Sequence, residues 1–192
     1  MPIHPHRRSL PAVLAVLLAS LAAPGHAAPP AAPTAVAMAA DTRPTNTTVL
    51  PLALAEAAAR AAIERCEADG HHVSAAVVDF SGLERAYLRG DHATVHTHET
   101  AFKKAYTIVT LGPIFGADTT GQLTEKLSKS PTAPALASVG NVILLAGGVL
   151  IRAGDEPLAA IGVGGAPGGA LDEACAQAGA AAIQARVEAL RR

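Results

Sequence analysis

The nine residues from Asp91 to Glu99 gather the side chains of this sequence that hold metals and move protons: Asp91, His92, His96, His98 and Glu99. Neutral imidazoles and carboxylates ligate iron, zinc or copper, and a histidine also serves as an axial ligand of haem iron. The same groups act as general acids and bases, with Asp79 and His92 or His98 as the set within reach in sequence. Spacing limits the metal reading. On a regular helix His96 and His98, two residues apart, do not share a face. A single iron held by His96, His98 and Glu99 therefore needs a frayed first turn. The competing reading is a set of solvated loop histidines. Lys103 and Lys104 follow directly, either as a solvated face or as cations that neutralise carboxylates on a ligand. His71 and His72 sit in a turn and are expected to be exposed.

Other chemistries find less support. The stretch Gly162-Val163-Gly164-Gly165-Ala166-Pro167-Gly168-Gly169 follows an apolar run and precedes a helix, the setting for anion binding at a helix N-terminus. Pro167 stands where a dinucleotide fingerprint places its third glycine, and no acidic strand follows, so a structural turn is the better reading. There is no GxxxxGK[ST] loop. Cys66 and Cys175 are flanked by apolar residues and are not spaced as metal ligands, so no activated nucleophile emerges. They are either a disulfide, if their helices lie side by side, or two small buried side chains. A formal net charge of -1 and 3% aromatic residues give no footing for nucleic acid or an anionic membrane surface.

The elements that must position these residues follow from periodicity. Pro51 to Ala68 is helical, with Leu54, Ala58, Ala62 and Cys66 at helical spacing and Asp69-Gly70 as the stop. Val73 to Val78, a turn at Asp79-Phe80-Ser81-Gly82, and Glu84 to Leu88 read as a β-hairpin. A second helix is expected from Thr94 to Leu111, ended by Gly112-Pro113. Thr119 and its neighbours cap a short helix over Gly121 to Lys126, and Ser130 to Pro134 is a rigid loop. Asn141 to Ala146 is expected as a strand that turns at Gly147-Gly148 into Val149 to Arg152. Leu158 to Val163 is the fifth strand, and a last helix runs to about Leu190. Short turns within strand pairs imply antiparallel pairing. The expected class is α+β, with a single mostly antiparallel sheet of about five strands and helices packed on it.

The chain divides into three parts. Residues 1–27 have the features of an export signal: Arg7-Arg8, an apolar run from Leu10 to Ala23 too short to span a bilayer, and the small residues of Gly25-His26-Ala27. Residues 28–48 are rich in Ala, Pro and Thr without periodicity and read as a disordered tether. Residues 49–192 form one domain. The expected product is secreted or periplasmic, with no membrane insertion and no nucleic-acid partner.

Several short motifs occur in a telling order: Val77-Val78-Asp79-x-x-Gly82, Lys104-Ala105-Tyr106-Thr107, Ala146-Gly147-Gly148-Val149, Ile161-Gly162-Val163-Gly164-Gly165 and Leu171-Asp172-Glu173. Together they resemble the GlcG/HbpS family, also found as the C-terminal domain of PduO-type cobalamin adenosyltransferases, from about Thr47 to Arg186. The resemblance implies a compact α+β domain that assembles into homo-oligomers and binds haem or a related tetrapyrrole. Exported members are similar to haem-binding proteins that assist a membrane sensor kinase under haem or redox stress, and some members are described as haem-degrading. Ser130-Pro131-Thr132 resembles a loop near the haem, which makes Thr132 a weak oxygen ligand. Phe102 stands where a second carboxylate beside Glu99 would help to hold bare ferric iron, a departure that weakens a separate iron site.

The reading that results is an exported haem-binding protein, a haem store or accessory haem/redox sensor. Its iron ligand would come from His92, His96, His98 or Thr132, with Lys103 and Lys104 toward the propionates. The alternatives are a small-metabolite or haem-degrading enzyme using the Asp79/His92/His98 region, and a ligand-free regulatory oligomer.

Overall fold

In the computed structural model the described residues are 49–191, so the expected signal segment and tether, residues 1–27 and 28–48, lie outside them. The chain begins with α1 (Leu52–Ala68), whose Ala-rich inner face needs little side-chain ordering to form a helix. It continues through β1 (Ser74–Asp79), β2 (Glu84–Arg89), α2 (Thr97–Phe115), α3 (Thr120–Leu127) and the short α4 (Ala133–Ala137). The last elements are β3 (Gly148–Ala153), β4 (Glu156–Gly164) and α5 (Gly169–Ala189).

One antiparallel sheet runs in the order β2-β1-β4-β3. The class is α+β with one mostly antiparallel sheet, and the strand number is four rather than about five. Side chains alternate across the sheet. Ala75, Val77, Ala159, Ile161 and Val163 face α1 and α5, while Val78 and Ala160 face α2 and α3. Cys66 of α1 and Cys175 of α5 form a disulfide between these two helices, 109 residues apart in sequence, which resolves the two readings left open by composition.

The missing strand is Asn141 to Ala146. Its apolar run is indistinguishable from a buried strand by pattern alone. In the fold the outer edge of β3 is already met by the chain before α3, through Leu150 N–H donating to Asp118 O and a bridge between Thr119 and Val149. The 141–147 segment instead lies on α2, with Ile143 N–H donating to Thr107 Oγ1 at 2.8 Å. Its hairpin role passes to β3 and β4, which turn at Gly154, where φ is +58.

Helix α2 also runs past its expected end. Pro113 removes one donor within the last turns, and the helix stops at Gly116, whose left-handed backbone (φ 59) donates to Gly112 O. The rigid loop expected over Ser130 to Pro134 gives way at Ala133 to a single helical stretch, Ala133–Ala137, with Pro134 in its first turn.

The packing of α2 on the sheet is set by glycine. A Cβ on Gly162 would collide with the backbone of Ala101 and Ala105, and one on Gly164 with the Thr100 side chain. Both lie on the same face of β4, two residues apart, and form a track on which the α2 backbone rests. This close approach brings Lys104 to the end of β4 and the glycine-rich loop.

Candidate functional site

The residues Asp91 to Glu99 straddle the turn into α2, and the helix distributes them in different directions. His96 is its N-cap residue, and its Nδ1 shares a 3.1 Å hydrogen bond with the Thr94 hydroxyl. With Nδ1–H as donor, the Nε2 lone pair is the ring's available ligand. His98 lies toward the sheet edge instead. Its Nε2 is 3.3 Å from Glu84 Oε2, and its ring packs edge-on against Tyr87 with centroids 4.3 Å apart. His92, at φ 65, packs against His72. Glu99 pairs with Lys103 one turn along the helix at 2.6 Å, which holds its carboxyl below the ordinary carboxylate value. Among the described residues no group of three or more His, Cys, Asp and Glu stands together as a metal site.

The acid–base set fares no better in space. Asp79 Oδ1 accepts the amides of Ser81 and Leu83 and so closes the hairpin turn. His92 lies beyond the other end of β1, a strand length of about 16 Å away.

Lys104 was expected on a solvated face or toward a ligand's carboxylates. It is buried. Its ammonium donates to Asp172 Oδ2 at 2.6 Å and to Val163 O at 2.9 Å, while Asp172 Oδ1 accepts the Ala166 amide at 3.0 Å. Lys103 remains at the surface, paired with Glu99. Burial pushes the Asp172 carboxyl up, and the Lys104 ammonium beside it pulls the other way. Next to it, Glu173 Oε2 accepts the amides of Gly121 and Gly147, and Thr120 Oγ1 accepts that of Gly148. In the sequence Asp172 and Glu173 stood out only as part of the Leu171-Asp172-Glu173 motif. Their larger role is to hold three chain segments together.

Above this buried pair lies a cleft of about 200 Å³. His96, Thr100 and Lys104 form one wall at helical spacing, Gly165 to Gly169 form another, and Leu145 and Asp172 complete the lining. Its rim carries an exposed leucine, Leu145, and Leu171 is exposed nearby in sequence on α5. Thr132 is not part of this cleft. It sits at the N-cap of α4, its hydroxyl hydrogen-bonded to that of Ser130 at 2.8 Å. Of the sequence-derived iron-ligand candidates His92, His96, His98 and Thr132, His96 alone lines the cleft. The glycine loop, read from the sequence as a structural turn, is both a turn and one of its walls.

A family model described as haem degrading protein HbpS-like matches residues 50–181. Among solved structures, the chain is 44% identical to HbpS, with a TM-score of 0.65, over 71% of this chain and 92% of that one. It is 43% identical to a Streptomyces reticuli HbpS mutant with two glutamate-to-aspartate changes, with a TM-score of 0.64, over 80% of this chain and 97% of that one. A PduOC–haem complex is similar at 25% identity and a TM-score of 0.61, over 70% of this chain and 95% of that one. No curated protein matches the chain.

Proposed function

Because the chain belongs to the HbpS-like family, we propose that it is a haem-binding protein that takes the macrocycle at the cleft between the start of α2 and the glycine loop. The observation that carries this reading is the family match over residues 50–181, joined to a related domain solved with haem bound. The residues present fit the group. His96 offers an imidazole whose orientation is set by Thr94, the glycine loop offers a wall of three glycines with the small apolar Ala166 and Pro167 to a flat ligand, and Leu145 offers apolar contact. Bound haem would supply redox-active iron, and His96 with the glycine loop and Leu145 would hold it.

Size shapes the proposal. Clefts that enclose a ligand of this kind are roughly 300–1,000 Å³. At about 200 Å³ the cleft takes only one edge or face of the macrocycle. The remainder is covered by a second copy in a homo-oligomer or left exposed. An exposed haem suits a store or an accessory haem/redox sensor that hands its state to a membrane sensor kinase, in a secreted or periplasmic setting, as the first 27 residues propose. Lys103, with its partner Glu99, lies about 100° around α2 from Lys104, which lines the cleft, and is the cation proposed for a propionate. Iron without the macrocycle, at His96, His98 and Glu99, would need His98 to leave Glu84.

Haemin titration of the full chain, read by absorption, tests the reading. A saturable Soret shift that changes position or weakens in His96→Ala is the expected result, and no shift in the parent protein overturns it. The family description favours breakdown of the bound haem as the second reading. Bleaching of the Soret band under reductant and oxygen, with free iron appearing, would establish that activity.

A further inference from the structure

His72 and His92 lie outside the cleft but meet each other. The sheet register explains how. Ser74 pairs with Arg89, and Gly90 N–H donates to Val73 O at 2.9 Å. Carried one pair further, the ladder sets His72 opposite Asp91, with His92 next along the chain. The two rings have centroids 5.4 Å apart and planes inclined at 75°. Both residues are exposed, and neither ring has a hydrogen-bond or salt-bridge partner among the described residues.

We infer that His72 and His92 form a two-histidine chelate for a borderline divalent transition cation such as Ni²⁺, Cu²⁺ or Zn²⁺. Imidazole is the ligand type these ions share. A metal bonded to an imidazole nitrogen at about 2.0–2.1 Å stands about 3.2 Å from the ring centre, so two rings at a tetrahedral angle have centres about 5.2 Å apart. The observed separation differs from this by a few tenths of an ångström. Rotation about the side-chain bonds would turn one nitrogen of each ring toward the shared ion.

The backbone on both sides is held in place. His71 N–H donates to Cys66 O at the end of α1, immediately before His72. On the other side Ala93 N–H donates to Gly90 O, and Arg89 Nε donates to Ala93 O, closing the loop around His92. His92 itself keeps a left-handed backbone (φ 65), which histidine adopts more readily than most non-glycine residues. Among the described residues no third protein ligand completes the set, so water fills the remaining positions. Such a site is open and exchangeable, suited to cation capture or to a ligand that joins the metal from outside. It does not depend on the haem reading.

Isothermal titration of the haem-free full chain with Ni²⁺ tests the inference. His4 and His6 near the start of the chain offer a separate attachment for Ni²⁺, so the measured quantity is the equivalent lost on substitution. His72→Ala and His92→Ala are each expected to weaken one equivalent by about tenfold or more, and the double variant to lose it. His71→Ala and His98→Ala are expected to retain it. Thermal melts of the same variants verify that they remain folded. Parent-like Ni²⁺ binding by folded His72→Ala and His92→Ala would overturn the inference and leave the pair as an aromatic contact only. Equal loss in His71→Ala would overturn it too.

Discussion

Lys104 Nζ lies 2.6 Å from Asp172 Oδ2, and both side chains are only 4% exposed. The contact joins the middle of α2 to the first turn of α5. Through Val163 O and the Ala166 amide, it also fixes the β4 side of the loop that walls the cleft. A buried pair of this kind adds little over a well-packed apolar replacement, yet leaving one member alone is strongly unfavourable.

Lys104→Met and Asp172→Leu are each expected to destabilise the protein by about 3–5 kcal/mol, because each strands a buried charge. The double variant Lys104→Met/Asp172→Leu should recover much of that loss. Urea unfolding of the four proteins as a double-mutant cycle measures it. Additive losses would mean that the two residues are not coupled.

The raised Asp172 carboxyl has a pH consequence. Its folded value lies above the ordinary 3.8, so the folded state holds the proton more tightly than the unfolded state. The associated stabilisation is complete below the unfolded value and is lost as pH rises through the folded one. Between those two values the parent protein should lose stability with rising pH more steeply than Asp172→Asn. Parallel pH–stability curves would count against burial as the dominant influence on this carboxyl.

Gly162→Ala tests the glycine track. The added Cβ would meet the backbone of Ala101 and Ala105, which cannot rotate away, so α2 must lift from the sheet. A loss of about 1–3 kcal/mol is expected, as for other overpacked cores, together with weaker haem uptake. Gly140→Ala, where nothing lies within 4 Å of the new atom, is the control.

The three histidines of the Asp91–Glu99 stretch should behave differently toward haemin. His96→Ala is expected to shift or lose the nitrogen-ligated Soret band. His98→Ala should leave it in place, since its Nε2 already faces Glu84. A band lost in Thr132→Ala but kept in His96→Ala would move the axial ligand to the α4 loop.

The Cys66–Cys175 bond closes a loop spanning 109 residues. By loop entropy its removal in Cys66→Ala/Cys175→Ala costs about 4–5 kcal/mol. Both sulfurs are buried between α1 and α5, so reductant should act on the folded protein slowly and on the denaturant-unfolded protein quickly. Labelling of free thiols over time separates the two.

Much of the scaffold was legible because its signals are local. The β1–β2 turn is written in Asp79 and Gly82, where the carboxylate accepts the turn amides and the glycine takes a positive φ. Thr119 caps α3 by accepting the Gln122 amide, and the helical spacing of α1 reports its buried face. Asn141 to Ala146 was misjudged for the opposite reason. Its apolar pattern reports burial, and only the occupied edge of β3 decides that the burial is against α2.

For the site, the sequence by itself determined the inventory: the histidines near the α2 start, a glycine loop ahead of the last helix, two lysines in series and two cysteines. It also carried the family, because the ordered motifs are the glycines and turns that this packing requires. Tertiary structure decided which of these residues meet. Lys104 differs from Lys103 only by a rotation of 100° about α2, yet that rotation buries one ammonium against Asp172 and leaves the other with Glu99. His72 and His92 are 20 positions apart and adjacent only through the hairpin register. Such long-range pairings depend on how the sheet and helices close on one another, and no local pattern encodes them.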